Sequence, residues 1–162
     1  MTQAEELLDS LSETSTTEEP HIVINSDRSI TVADSVKKIA VQFDHNVNTI
    51  TFDCPRYWDG RDLSEMDILI NWIRSDGYND KYQAESVTID ESDESIIHFD
   101  WTIERDITEV SGNLTFSVCG RKLNDNGVEM QHWNSEINKD LYVSEGINCD
   151  DVNENNGNYT LY

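Results

Sequence analysis

An all-β fold, an antiparallel sandwich of about seven to nine strands of immunoglobulin-like or related type, is what the sequence predicts. Three observations predict it. Apolar residues alternate with polar ones over short runs, most clearly at Ile97, Phe99, Trp101 and Ile103 and at Leu114, Phe116 and Val118. Clusters of Asp, Asn and Gly separate these runs at intervals of about ten residues, the spacing of strands joined by turns. The stretch Leu123-Asn124-Asp125-Asn126-Gly127 adds an Asn-Gly hairpin signal between two strand-like segments.

Residues 1–20 stand apart from this pattern. Leu7, Leu8 and Leu11 fall at helical spacing behind Thr2, a candidate N-cap followed three residues later by Glu5. A helix this short does not hold alone in water, and residues 12–19 (SETSTTEE) read as polar linker. Two readings stand open: a frayed terminus, or a docking segment that orders on a partner or a neighbouring subunit.

The β-rich body spans residues 21–147. Strands are expected at residues 22–24, 30–32, 39–43, 49–53, 66–74, 86–90, 97–103, 113–119 and 136–143, with one helical turn within residues 104–110. In the third of these, Ile39, Val41 and Phe43 are expected on one face. Residues 148–162 are rich in Asn, Asp and Gly and have little to bury, so an extended or partner-ordered tail is expected there.

The chain's most distinctive stretch runs from an alternating strand into Cys54-Pro55-Arg56-Tyr57-Trp58-Asp59-Gly60 and leaves as a second strand. Met66, Ile68, Ile70 and Trp72 alternate and read as core, as does Trp101. Arg56, Tyr57, Trp58 and Asp59 are left as either a plug beneath the sandwich or an exposed contact. Trp133, flanked by His132 and Asn134, carries the same ambiguity. With neighbouring Asp and Asn, these aromatics also fit a sugar platform.

Composition excludes several functions. A formal charge of −22 on 162 residues opposes binding to nucleic acid and to anionic membranes. No apolar run reaches the length of a membrane-spanning helix, and no signal peptide is evident, so synthesis in a cytoplasm is expected. Cys54, Cys119 and Cys149 lack metal or disulfide spacing, and the first two read as buried thiols. His21, His45, His98 and His132 form no metalloprotease spacing, and no nucleophile elbow, P-loop or dinucleotide turn is present. Neither an enzyme nor a cofactor is expected. Asp90, Glu91, Asp93 and Glu94 are the best place for a cation, calcium by their hard oxygens, although they lack the spacing of an EF-hand loop. His98, opposite the apolar face of its strand, is expected at the surface.

The segments HIVINSDRSITV, KKIAVQFDHNVNTITFDCPRYWDGRDLS, ESDESIIHFDWTIERDITEVSGNLTFSV and HWNSEINKDLYVSEG resemble structural proteins of phages and prophages of Gram-positive gut bacteria. Their layout is similar to the N-terminal β-sandwich of baseplate upper proteins, over residues 21–147. The resemblance implies a non-enzymatic virion component, localised to the particle, that contacts capsid, tail or baseplate proteins and copies of itself. Only sixteen residues follow Gly146, too few for a receptor-binding fibre, so a decoration, adaptor or anchor role is expected. Leu7, Leu8, Leu11, Arg56, Tyr57, Trp58 and Trp133 are the candidate interface residues, since Trp, Tyr and Arg dominate interface energies. The alternative is a carbohydrate-binding module displayed on the virion.

Overall fold

The computed structural model describes residues 21–153, and the fold is the all-β, sandwich-like one, with about half the chain in strands. One five-stranded sheet has the order β2-β1-β4-β10-β9, built from β1 (His21–Ile24), β2 (Ile30–Val32), β4 (Thr49–Pro55), β9 (Val87–Ile89) and β10 (Ile96–Thr102). A six-stranded sheet has the order β3-β13-β11-β7-β8 with β12 also pairing β11. Its strands are β3 (Lys38–Val41), β7 (Asp67–Ile73), β8 (Asn79–Gln83), β11 (Gly112–Leu123), β12 (Glu129–Asn134) and β13 (Asn138–Ser144). A separate ribbon pairs β5 (Tyr57–Trp58) with β6 (Arg61–Asp62). Two one-turn α-helices, α1 (Asp34–Lys37) and α2 (Arg105–Thr108), and two 3-10 turns, Leu63–Glu65 and Cys149–Asp151, complete the described body.

The two facing sheets bury the residues that alternation assigns to the core. Phe52 of β4 and Phe99 of β10 are register partners, and their rings stack with centroids 5.0 Å apart. Phe116 of the opposite sheet meets Phe52 edge-on at 6.2 Å and Trp101 at 5.7 Å, so the aromatic cluster spans the sandwich. Met66, Ile68, Ile70 and Trp72 are all buried in this core, as expected. Leu69 is buried as well, against Cys119, its register partner on the outer face of the same sheet. Cys54 and Cys119 are buried free thiols, and burial pushes the Cys54 thiol up to about 12.

Three features depart from the expected pattern. The sheets are mixed: β1 runs parallel to β4, and β3 parallel to β13. The expected alternation through Ile39, Val41 and Phe43 fails. Tyr142 pairs Lys38 while the next residue, Val143, pairs Ala40, so Ile39 is the extra residue of a bulge. A bulge turns two successive residues to one side. Ile39 and Ala40 are accordingly both buried, and Val41 is 39% exposed. Phe43 lies outside the strand at φ 77°, beneath the Arg105 guanidinium. The third departure is the number of strands, which exceeds the expected seven to nine because short polar strands such as β8 carry almost no apolar signal.

Candidate functional site

The polar turn between β1 and β2 builds one wall of a cleft at the edge of the sandwich. The Asn25 amide donates to Ser29 O (2.8 Å) and the Arg28 amide to Asn25 O (2.9 Å). The Asp27 carboxylate accepts from the Ser29 hydroxyl and amide, which holds its carboxyl below the usual range. The closed turn leaves Arg28 left-handed at φ 76°, a conformation that costs a non-glycine residue about 1 kcal/mol or more. The Glu136 amide donates to Arg28 O at 2.9 Å and so locks the turn to the far sheet. The Arg28 guanidinium therefore lies 4.0 Å over the Trp58 ring and 5.8 Å from that of Trp133.

The opposite wall is the β5–β6 ribbon. Asp59 and Gly60, at φ 48° and 76°, make the two-residue turn, and two left-handed positions in succession are what a type I′ hairpin requires. Glycine takes the second without strain. Arg56 anchors the ribbon: its Nε and Nη2 donate to the Asp62 carboxylate at 3.0–3.2 Å, and its Nη1 donates to Glu94 O. Asp62 also accepts from the Ser64 amide and hydroxyl. The Arg56 hydrogen bonds, ahead of those from Ser64, hold its carboxyl below the usual range.

The cleft between these walls has a volume of about 340 Å³. Arg61 and His132 flank it, and Met130 on β12, 61% exposed, extends its rim. Trp133 is only 5% exposed and belongs to the core, with its indole N–H lacking an acceptor among the described residues. His132 Nδ1 lies 2.7 Å from Glu129 Oε1, which raises the imidazole pKa; contact of Nε2 with Asn134 adds to this. The lining includes no Ser, Thr, Cys or Lys. Its chemistry is that of aromatic faces, guanidinium edges and hydrogen-bond donors, which suits recognition.

The structure thus brings Trp58 and Trp133 together on one cation, but divides the sequence-derived candidates by role. Tyr57, 49% exposed, has the Arg56 guanidinium 5.0 Å over its ring, and Trp58 is half-buried. Arg56 is spent on internal bonds, and Trp133 is core rather than an exposed anchor in the single chain. Leu7, Leu8 and Leu11 lie outside the described residues. Arg28, Arg61 and Met130 escaped sequence reasoning. A turn-rich run marks the bend at residues 25–29, but nothing local marks which aromatic rings its arginine will cover.

Two other places carry less. A larger depression of about 540 Å³ on the outer face of the six-stranded sheet, with exposed Ile73 and Ile137, gathers no aromatic-cation pair. At the acidic turn, the candidate calcium residues Asp90 and Asp93 are engaged by the turn itself. Asp90 accepts from the Ser92 amide and hydroxyl and the Asp93 amide, and Asp93 from the Ser95 amide and hydroxyl. With Glu91 and Glu94, they bring no group of three or more metal-ligating side chains together among the described residues. Their carboxylates instead close the turn. Asp90 further meets His98 Nε2 at 2.7 Å, while His98 Nδ1 meets Asp53 at 2.7 Å. His98, expected at the open surface, is thus half-buried between two carboxylates. No family model matches this chain, and no curated protein matches it in sequence.

Proposed function

We propose that this chain is a non-enzymatic structural subunit of a phage particle, a decoration, adaptor or anchor protein on the capsid, tail or baseplate. It joins other virion proteins, and copies of itself, through the cleft end of its sandwich. The observation that carries the reading is the gathering of Trp58, Arg28 and Met130 in the cleft, with the exposed Tyr57 beside Trp58 on the β5–β6 ribbon. These residue types dominate protein interfaces when a partner dries them. The resemblance of residues 21–147 to virion sandwiches supplies the kind of partner. A carboxylate-rich remainder keeps such a subunit soluble and discourages contacts elsewhere.

The test is assembly of the chain with the capsid and tail proteins of the phage or prophage that encodes it, should one be found in its genome, followed by cryo-electron microscopy of the particles. Density for the sandwich, with Tyr57 and Trp58 against a neighbour, supports the reading; particles assembled in the presence of the chain that carry no density for it overturn it. The second reading, a carbohydrate-binding module on the virion, draws on the half-exposed Trp58 beside the polar groups of Asp59, Arg61 and Gln131. Glycan binding lost on Trp58→Ala, with particle incorporation unaffected, favours it instead.

A further inference from the structure

Arg28 is out of keeping with the chain that surrounds it. Acids outnumber bases 33 to 11, and Arg56, Arg61, Arg74 and Arg105 each pair with a carboxylate. Arg28 and Arg121 pair with none among the described residues, and of the two only Arg28 lines the cleft, although Asp27 is its neighbour in sequence and Asp59 shares that cleft. Those two are otherwise engaged, Asp27 with Ser29 and Asp59 with Arg61 at 3.4 Å. The guanidinium instead lies across Trp58 and points towards Trp133. Stacking uses the flat faces of a guanidinium and leaves its edge for bonds in the plane. Only one edge contact forms among the described residues, a long one of 3.4 Å from Nη1 to Asn134 O.

The surroundings repeat the same bias. Arg61 flanks the cleft on a half-exposed side chain held only at 3.4 Å by Asp59, and the Trp133 indole N–H is a buried donor without an acceptor among the described residues. Trp101 has an orphan N–H too, but it is enclosed by Phe52 and Phe116, whereas Trp133 walls the cleft. Leu63, Met66 and Met130 make the rest of the lining apolar. Donors in excess of acceptors above an apolar floor are complementary to a carboxylate on an apolar stem.

We propose that the cleft is a carboxylate-binding site whose ligand is an acidic side chain, flanked by apolar residues, on a protein partner. The carboxylate sits at the Arg28 edge and the apolar flank on Trp58 and Met130. This rests on the reading of the cleft as a protein contact and names the chemistry of what it contacts. Its failure is separable, because particle incorporation is measured without reference to any added ligand.

The experiment follows the indole N–H signals of the isotope-labelled full chain by nuclear magnetic resonance. The probe is an acetylated, amidated Leu-Glu-Leu-Glu-Leu peptide at millimolar concentration, beside its glutamine counterpart and glucuronate. The acidic peptide is expected to move the Trp58 and Trp133 signals and leave Trp72 and Trp101 in place. Arg28→Gln, or Arg61→Gln should the first fail to fold, is expected to weaken binding about tenfold. No movement with the acidic peptide overturns the proposal. Equal movement with the glutamine peptide overturns the carboxylate assignment, and tighter binding of glucuronate overturns the protein partner in favour of an acidic sugar.

Discussion

The closed aromatic cluster and the open cleft use the same residue types for opposite ends. In the first, Phe52, Phe99, Trp101 and Phe116 come from central strands of two sheets and stack on one another within the aliphatic core. In the second, Trp58 and Trp133 come from a ribbon and an edge strand, and an arginine held in a left-handed turn stands between them. Central strands supply partners on every side. An edge leaves one side open, and there the chain has placed a cation instead of another ring. Position in the sheet sets the degree of enclosure: Trp101 is wholly buried, Trp133 on the edge strand is core yet borders the cleft, and Trp58 on the ribbon is only half-buried.

The largest difference between the two regions is energetic. Phe99→Ala or Trp101→Ala opens a cavity in a packed interior and is expected to cost about 3–5 kcal/mol. Trp58→Ala, at a half-buried site, is expected to cost about 1–2 kcal/mol. Urea denaturation of the three variants checks this, and equal losses would erase the distinction. Trp133 sharpens it. Trp133→Ala is expected to behave as a core change of about 3 kcal/mol. Trp133→Phe removes a donor that has no acceptor, whose burial costs about 1–3 kcal/mol, and should fall near neutral.

A smaller effect lies on the reverse face of the strands that carry the closed cluster. His98 bridges Asp90 and Asp53, and the Asp90 contact is the main cause of its raised pKa. His98 in turn is the main reason Asp90 is lowered to about 2, ahead of Ser92. A raised His pKa stabilises fully below its unfolded value, about 6.5, and the gain disappears as pH rises through the folded value. A lowered Asp pKa stabilises above about 3.8 and fails as pH falls towards 2. The clamp is therefore strongest between about pH 4 and 6.5 and weakens on the alkaline side. His98→Gln should remove more stability at pH 5.5 than at pH 8.5, read as the shift in denaturation midpoint; a loss independent of pH would contradict the clamp.

Much of this was legible in the chain and some was not, for physical reasons. Alternation placed β4, β7, β10 and β11 because one face of each is buried, and burial writes a period of two into the residues. Asn126-Gly127 marked a hairpin through the left-handed conformation that its glycine takes. β8, with only Tyr82 packed against the core, left little trace. The parallel pairings depend on residues far apart in sequence, and the bulge at Ile39 depends on its partner strand. Half of the site was likewise visible. Trp58 and Trp133 stood out by type, while Arg28 became part of it only because the β1–β2 turn packs on the β12–β13 connection.

The smallest expected change concerns Arg28 itself. Arg28→Gly relieves the left-handed strain, about 1 kcal/mol, while losing a cation–aromatic contact of similar size. Its stability should stay within about 1 kcal/mol of the parent. Arg28→Ala keeps the strain and loses the contact, so it should be the less stable of the two in the same denaturation experiment.

Whether the cleft end joins this chain to a particle is tested most directly by incorporation of a Tyr57→Ser, Trp58→Ser double variant into particles made with the parent's assembly partners. The variant is expected to fold, with Phe99 and Trp101 still enclosed, and to be missing from the particles. A folded double variant incorporated as fully as the parent would contradict the account.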